Sequence, residues 1–170
     1  MTSGNGSAEW HNGVGTITGN RPVWDGTWHF VAVTNDSSTS RLYIDGIQDN
    51  SGSNIDWLNT CTDVDVRIGM RGGGTLQPFN GLIDEVRVYN RALSAKEVEA
   101  LYESGAVTHK NPSNLGLVGY WNFNEGTSTL VGDSSGNQRH GTTTIANPST
   151  NSSGWANGKL GKAIRFDGSD

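Results

Sequence analysis

The chain of 170 residues has one cysteine, Cys61. A single thiol excludes an internal disulfide and any thiolate zinc cluster. Between Thr60 and Thr62 it reads as a half-buried structural group, with no basic neighbour in sequence to activate it. Long apolar runs are missing too. Nothing approaches the roughly 20 residues that span a bilayer, so no membrane span is expected. Met1 is followed by TSGNGS and not by an export leader, so any export signal would lie outside this stretch. Clustered Lys and Arg are also absent. With a net charge of −5 and no basic stripe to displace counterions, no nucleic-acid partner is expected. His11, His29, His109 and His140 show no zinc-ligand spacing.

What the chain does have is 24 glycines and six tryptophans, set among short alternating runs rich in Ser, Thr and Asn. That combination predicts an all-β protein with many tight turns. Two short strands are expected around Asn12-Gly13, and a strand from Trp28 to Thr34, apolar on both faces and therefore central. Arg41–Ile44 and Ile47–Asn50, separated by Asp45-Gly46, form a hairpin signal, because both turn residues must tolerate positive φ. Leu82 to Tyr89 reads as one strand with Asp84 among apolar neighbours on one face and Glu85 on the other. Ser94-Ala95-Lys96-Glu97 has capping-box spacing. It opens a short helix over about 94–104 with the stripe Val98, Leu101, Tyr102, and Gly105 is expected as a left-handed stop. Residues 106–114 read as a linker. Strands then follow near 117–123, 142–145 and 159–168, with the oxygen-rich turn Asp133–Asn137 between the first two. Gly72-Gly73-Gly74 lacks the following Lys-Ser or Lys-Thr of a phosphate cradle.

The pieces WHFVAVTND, RLYIDG, FNGLIDEVRVYNRALSAKEVEALY, LVGYWNFNEG, DSSGN and GKAIRFDG together touch most of the chain. They resemble the laminin G-like jelly rolls of the concanavalin A-like lectin/glucanase superfamily. The resemblance implies an antiparallel β-sandwich, but in such domains the GYW, DSSGN and FDG elements come first, and here they come last. Two origins are compatible with that order. The chain is either a piece spanning two tandem repeats or a circular permutant, and the repeat-spanning origin is the expectation. In both cases the two segments, 1–105 (the back part of the family domain) and 115–170 (the front part), are expected to close one sandwich, since an uncovered half would expose an apolar face.

The resemblance also implies a calcium site. Calcium takes six to eight oxygen ligands, and the oxygen-rich candidates are Asp133, Ser135 and Asn137 in one turn, Asp84 in the strand, and Glu125 or Asp167 near strand ends. The alternative is that Asp133–Asn137 is an Asx-type turn and Asp84 binds backbone amides or an arginine. The related glucanases use E-I-D-x-x-E, but here Leu82 and Arg87 occupy the positions of the two glutamates. No same-face carboxylate pair for glycoside hydrolysis is therefore expected, and the chain reads as noncatalytic. Trp10, Trp24, Trp57 and Trp155 lie near predicted loops or strand ends, where they either contact a sugar or close the core. The expected function is extracellular or cell-surface recognition or adhesion, with a glycan or an extracellular protein as partner, inside a larger exported protein. A spacer repeat and an accessory domain of a carbohydrate-active enzyme are the alternatives.

Overall fold

A computed structural model describes residues 6–11, 15–53, 67–71, 77–106, 114–143 and 154–168. Trp57, Cys61, the triple glycine and all but the ends of the predicted linker lie outside them. The chain divides into two compact units, residues 1–64 with 91–113, and residues 65–90 with 114–170. The fold class is all-β, with antiparallel sheets and one helix among the described residues.

In the first unit, β1 (Ser7–His11) runs antiparallel to β2 (Thr16–Pro22), with Trp10 opposite Ile17. Strands β3 (Val31–Asn35), β4 (Thr39–Ile44) and β5 (Ile47–Ser53) form one sheet in that order. The Asp45-Gly46 turn has the predicted positive φ at both residues, 52° and 79°. Leu42 and Ile44 are buried with Ala8 and Ile17, and Trp10, Val23 and Val33 pack around them. Asp49 of β5 fastens β2 beside it, accepting from the Asn20 amide at 2.5 Å and from Arg21 Nε at 2.8 Å.

Two expectations change in this unit. The strand predicted from Trp28 begins only at Val31, and β3 pairs with β4 alone among the described residues, with Val31 48 % exposed. The cause is local: Asp25, Thr27 and His29 bond to one another and to Asp45 through their side chains, which holds 25–30 in a bend. Strand β5 runs on through Ser51–Ser53, read from sequence as loop, and Asn50 Nδ2 on it donates to the Thr18 carbonyl of β2 at 2.7 Å.

Helix α1 (Ala95–Ala106) also belongs to this unit. Its capping box forms as predicted: Glu97 Oε2 accepts from the Ser94 amide and hydroxyl, each at 2.8 Å, and the Glu97 amide donates to Ser94 Oγ at 3.4 Å. Val98 and Leu101 are buried, while Tyr102 stays partly exposed with its ring against Gly46, where a Cβ would come within 3.1 Å. Gly105 is not a left-handed stop. The helix continues to Ala106, and Ser104 Oγ donates to the Leu101 carbonyl at 2.7 Å, satisfying one of the end groups a glycine cap would serve.

The second unit contains β6 (Met70–Arg71), β7 (Gln77–Pro78), β8 (Asn80–Ile83), β9 (Val86–Tyr89), β10 (Leu117–Trp121), β11 (Leu130–Val131), β12 (Gly141–Thr142), β13 (Gly154–Asn157) and β14 (Lys162–Asp167). The predicted single strand from Leu82 to Tyr89 is broken. Glu85 has φ +57°, so β8 pairs with β14 while β9 pairs with β10. Within this unit, then, strands from the earlier segment pair with strands from the later one. Phe123, Val131 and Ile164 form the core, surrounded by Ile68, Ile83, Val86, Trp121, Trp155 and Phe166. Gly119 is required where it stands, since a Cβ there would come within 2.5 Å of the Trp121 indole.

Candidate functional site

Of the six oxygen-bearing residues singled out from sequence, Asp133, Ser135 and Asn137 share one turn of the second unit and Glu125 reaches the amide just before it, while Asp84 and Asp167 have other partners. In the Asp133–Asn137 turn, Asp133 is buried and both carboxylate oxygens are engaged. Oδ1 accepts from the amides of Tyr120 (3.0 Å) and Ser135 (2.8 Å), and Oδ2 from the Ser135 hydroxyl and the Arg139 amide, both at 2.9 Å. Burial alone would raise the Asp133 pKa, but these donors hold it well below the usual carboxylate range. Asn137 turns its amide nitrogen toward the carbonyls of Leu117 and Val118, and Glu125 Oε1 accepts from the Gly132 amide at 2.7 Å.

Asp84 lies at the β13–β14 turn, where Oδ2 accepts from the Leu160 amide at 3.0 Å. Its Oδ1 is buried and accepts no hydrogen bond among the described residues. Burial raises its pKa. Asp167 is opposite Asn80 at the far end of β14. Among the described residues no three His, Cys, Asp or Glu side chains converge as a metal site. A cation bound at Asp133 would have to displace N–H and O–H donors that already fill its oxygens, so this turn as folded does not fit calcium.

At the break between β8 and β9 the neighbouring carboxylate has another role. Glu85 Oε2 accepts from the Tyr120 hydroxyl at 2.6 Å and from Arg87 at 2.7 Å, with the guanidinium 4.3 Å from the Tyr120 ring centre. Burial, then this bond to Glu85, pushes the Tyr120 hydroxyl up to about 12. Glu85 and Asp84 are adjacent in sequence but bind different partners.

The tryptophans also divide. Trp10 packs against the core of the first unit. Trp155 packs in that of the second and donates from Nε1 to the Ser128 carbonyl at 3.2 Å. Trp24 is 57 % exposed, and Trp28, assigned from sequence to a strand face, is 37 % exposed. The same stretch of chain carries a polar cluster. Asp25 Oδ1 accepts from the Thr27 amide (2.9 Å) and hydroxyl (2.6 Å) and lies 3.2 Å from His29 Nε2, while His29 Nδ1 is 2.9 Å from Asp45 Oδ2. Asp45 Oδ1 accepts from the Phe30 amide at 3.0 Å, so the hairpin turn anchors the bend.

The order Thr27, His29, Asp45 has the outline of a hydrolase triad, with Thr27 Oγ1 3.1 Å from His29 Nε2. Its chemistry differs. The hydrogen bond to Asp45, helped by Asp25, raises the His29 pKa, and the hydrogen bonds from Thr27 and His29 lower Asp25 to about 2. The Thr27 hydroxyl donates to Asp25 Oδ1 at 2.6 Å, so its proton is directed at that carboxylate and not at the imidazole. The cluster presents fixed donors and acceptors in a stretch that also exposes two indoles. Sequence reasoning missed Trp28 and His29 because both were placed on a regular strand. The spacing of Asp25, Thr27 and His29 around Gly26 was the available sign of a bend.

Among solved structures, a protein from Bacteroides ovatus described as a "putative carbohydrate binding protein" aligns with a TM-score of 0.60 at 21 % identity, over 78 % of this chain and 38 % of its own. An S-layer domain-containing protein from Clostridium thermocellum is 29 % identical over 52 % of this chain and 45 % of its own, with a TM-score of 0.43. The chain thus spans less than half the length of either. No curated protein sequence matches it. A sequence model of the concanavalin A-like lectin/glucanases superfamily, in its laminin G form, matches residues 1–99. That covers more than half of the 170 residues and includes the paired strands, the Asp-Gly hairpin and the capped start of the helix, and by it the chain belongs to that superfamily.

Proposed function

We propose that this chain is a noncatalytic carbohydrate-recognition module whose contact surface centres on Trp24 and Trp28. The observation that carries the reading is the exposure of two indoles, Trp24 and Trp28, in the same short stretch of chain as the Asp25–Thr27–His29 cluster. Sugars present C–H faces that stack on aromatic rings and hydroxyls that need both donors and acceptors, and this loop supplies all three. Membership of a superfamily that includes lectins supports the reading, as does the description of the Bacteroides neighbour. The module works at the cell surface or outside the cell, as part of a larger exported protein.

The test is a glycan array probed with the chain and with Trp24→Ala. The variant should fold with an unchanged melting temperature, because the side chain is mostly in solvent, and should lose at least tenfold in signal on the glycans bound by the parent. Binding that survives both Trp24→Ala and Trp28→Ala would remove this surface from the reading. No binding by the parent to any glycan would favour the spacer role.

A further inference from the structure

A second feature of the first unit is a groove of about 500 Å³ between one face of the β3–β4–β5 sheet and the start of α1. It is within the size range of small-molecule sites. Tyr43 and Gln48 stand directly opposite each other on β4 and β5, and Arg41 shares their face two residues before Tyr43. Across from them are Leu93, Arg91 and Glu97. The groove is separate from the Trp24–His29 loop.

Three observations define its chemistry. Tyr43 is 98 % buried and lines the groove, and no described side chain engages its hydroxyl in a hydrogen bond. Gln48 is exposed, with an amide that likewise bonds to no described side chain. The formal charges cancel within the wall. Arg41 Nη1 is 2.6 Å from Asp36 Oδ2, and Arg91 bridges both oxygens of Glu97 at 2.5 and 3.0 Å. Arg91 and Ser94 hold Glu97 at about 2, so the second pair stays ionised near neutral pH.

The wall therefore offers a hydroxyl, an amide and two fixed guanidinium–carboxylate pairs, beside the apolar Leu93. Each pair provides donors and acceptors in one plane with no net charge. A ligand with a formal charge would have to break a pair, whereas vicinal hydroxyls can bond to both members of one.

We infer that the Tyr43–Gln48–Arg91 groove is a second binding site that takes one neutral, polyhydroxylated sugar unit. This inference rests on the carbohydrate-recognition reading but uses different residues.

The experiment is a titration of the isotope-labelled full chain with methyl glucoside, methyl galactoside and methyl mannoside, and with galacturonate as a charged control, followed by amide NMR shifts. At least one neutral glycoside should give saturable shifts at the Gln48 side-chain amide and at the Leu93 and Ser94 backbone amides. Tyr43→Phe removes only a hydroxyl that bonds to no described side chain, so it should leave the fold intact and weaken this binding about three- to tenfold. Trp24→Ala should leave the groove shifts unchanged. Shifts confined to Trp24 and Trp28 would overturn the groove and leave the general reading standing, and an absence of shifts at both places would overturn both. Tighter binding of galacturonate than of every neutral glycoside at the groove would overturn the assignment of a neutral ligand.

Discussion

Two aspartates of the second unit, Asp84 and Asp133, look alike in sequence, each following an apolar stretch and each resembling a ligand of the family's calcium site. The fold gives them opposite electrostatics. Asp133 meets four N–H and O–H donors, and its pKa is pushed down in spite of burial. Asp84 meets the Leu160 amide with one oxygen, the other is buried with no hydrogen-bond partner among the described residues, and its pKa is pushed up. Burial disfavours the charge at both; at Asp133 the donors outweigh it, and at Asp84 it outweighs the backbone amides. Asp133 receives a side-chain hydroxyl as well as amides from its own turn and from β10, whereas the bonds to Asp84 come from backbone amides.

The largest effect should come from breaking the satisfied member. Asp133→Ala orphans the amides of Tyr120, Ser135 and Arg139 and should cost about 3 kcal/mol in a urea melt. Because its folded pKa lies below the usual 3.8, its contribution is present above that value and is lost as pH falls through the folded pKa. The parent should thus lose stability below about pH 4 in a way the variant does not. If the turn is held by its own donors, calcium or a chelator should leave the parent melting temperature unchanged. A calcium-dependent rise abolished by Asp133→Ala would instead establish a cation there.

A smaller change of opposite sign is expected at Asp84. Its raised folded pKa means that the ionised form is disfavoured at neutral pH, and the stability associated with its protonated form is lost as pH rises through that pKa. Asp84→Asn should therefore be at least as stable as the parent at pH 7, with the advantage shrinking toward pH 3 in thermal melts. A loss of stability at pH 7 would show that the Leu160 amide outweighs burial.

The same contrast extends, most weakly, to a cation in the first unit. His29, raised mainly by Asp45, contributes stability that is present below its ordinary value of 6.5 and is lost as pH rises through the folded pKa. Melting temperatures compared between pH 5.5 and pH 8.5 should show a small decline in the parent that is absent in His29→Gln. An NMR titration giving an ordinary or lowered His29 pKa would contradict the Asp25–His29–Asp45 arrangement.

Much of the architecture was legible in the chain because it depends on local chemistry. The Asp45-Gly46 hairpin follows from two residues that tolerate positive φ, and the start of α1 from Ser94 and Glu97 three apart. The failures occur where partners distant in sequence intervene. Alternation from Leu82 to Tyr89 suggests one strand, but positive φ at Glu85 divides it between β14 and β10 as partners. The bend over 25–30 looked like a strand because its aromatics alternate, and it is held away from that form in part by Asp45, 16 residues beyond His29.

For the candidate sites the division is the same. Tryptophans were identifiable as candidates, but only the fold packs Trp10 and Trp155 against a core and leaves Trp24 and Trp28 exposed. The sequence by itself determined an all-β chain with its hairpin, its capped helix and its superfamily, since turn and cap preferences and strand alternation act over a few residues. The tertiary structure alone decided that Asp133 is saturated, that one buried oxygen of Asp84 has no partner among the described residues, and that Tyr43 lines a groove, because hydrogen-bond satisfaction and burial depend on which distant segments arrive alongside.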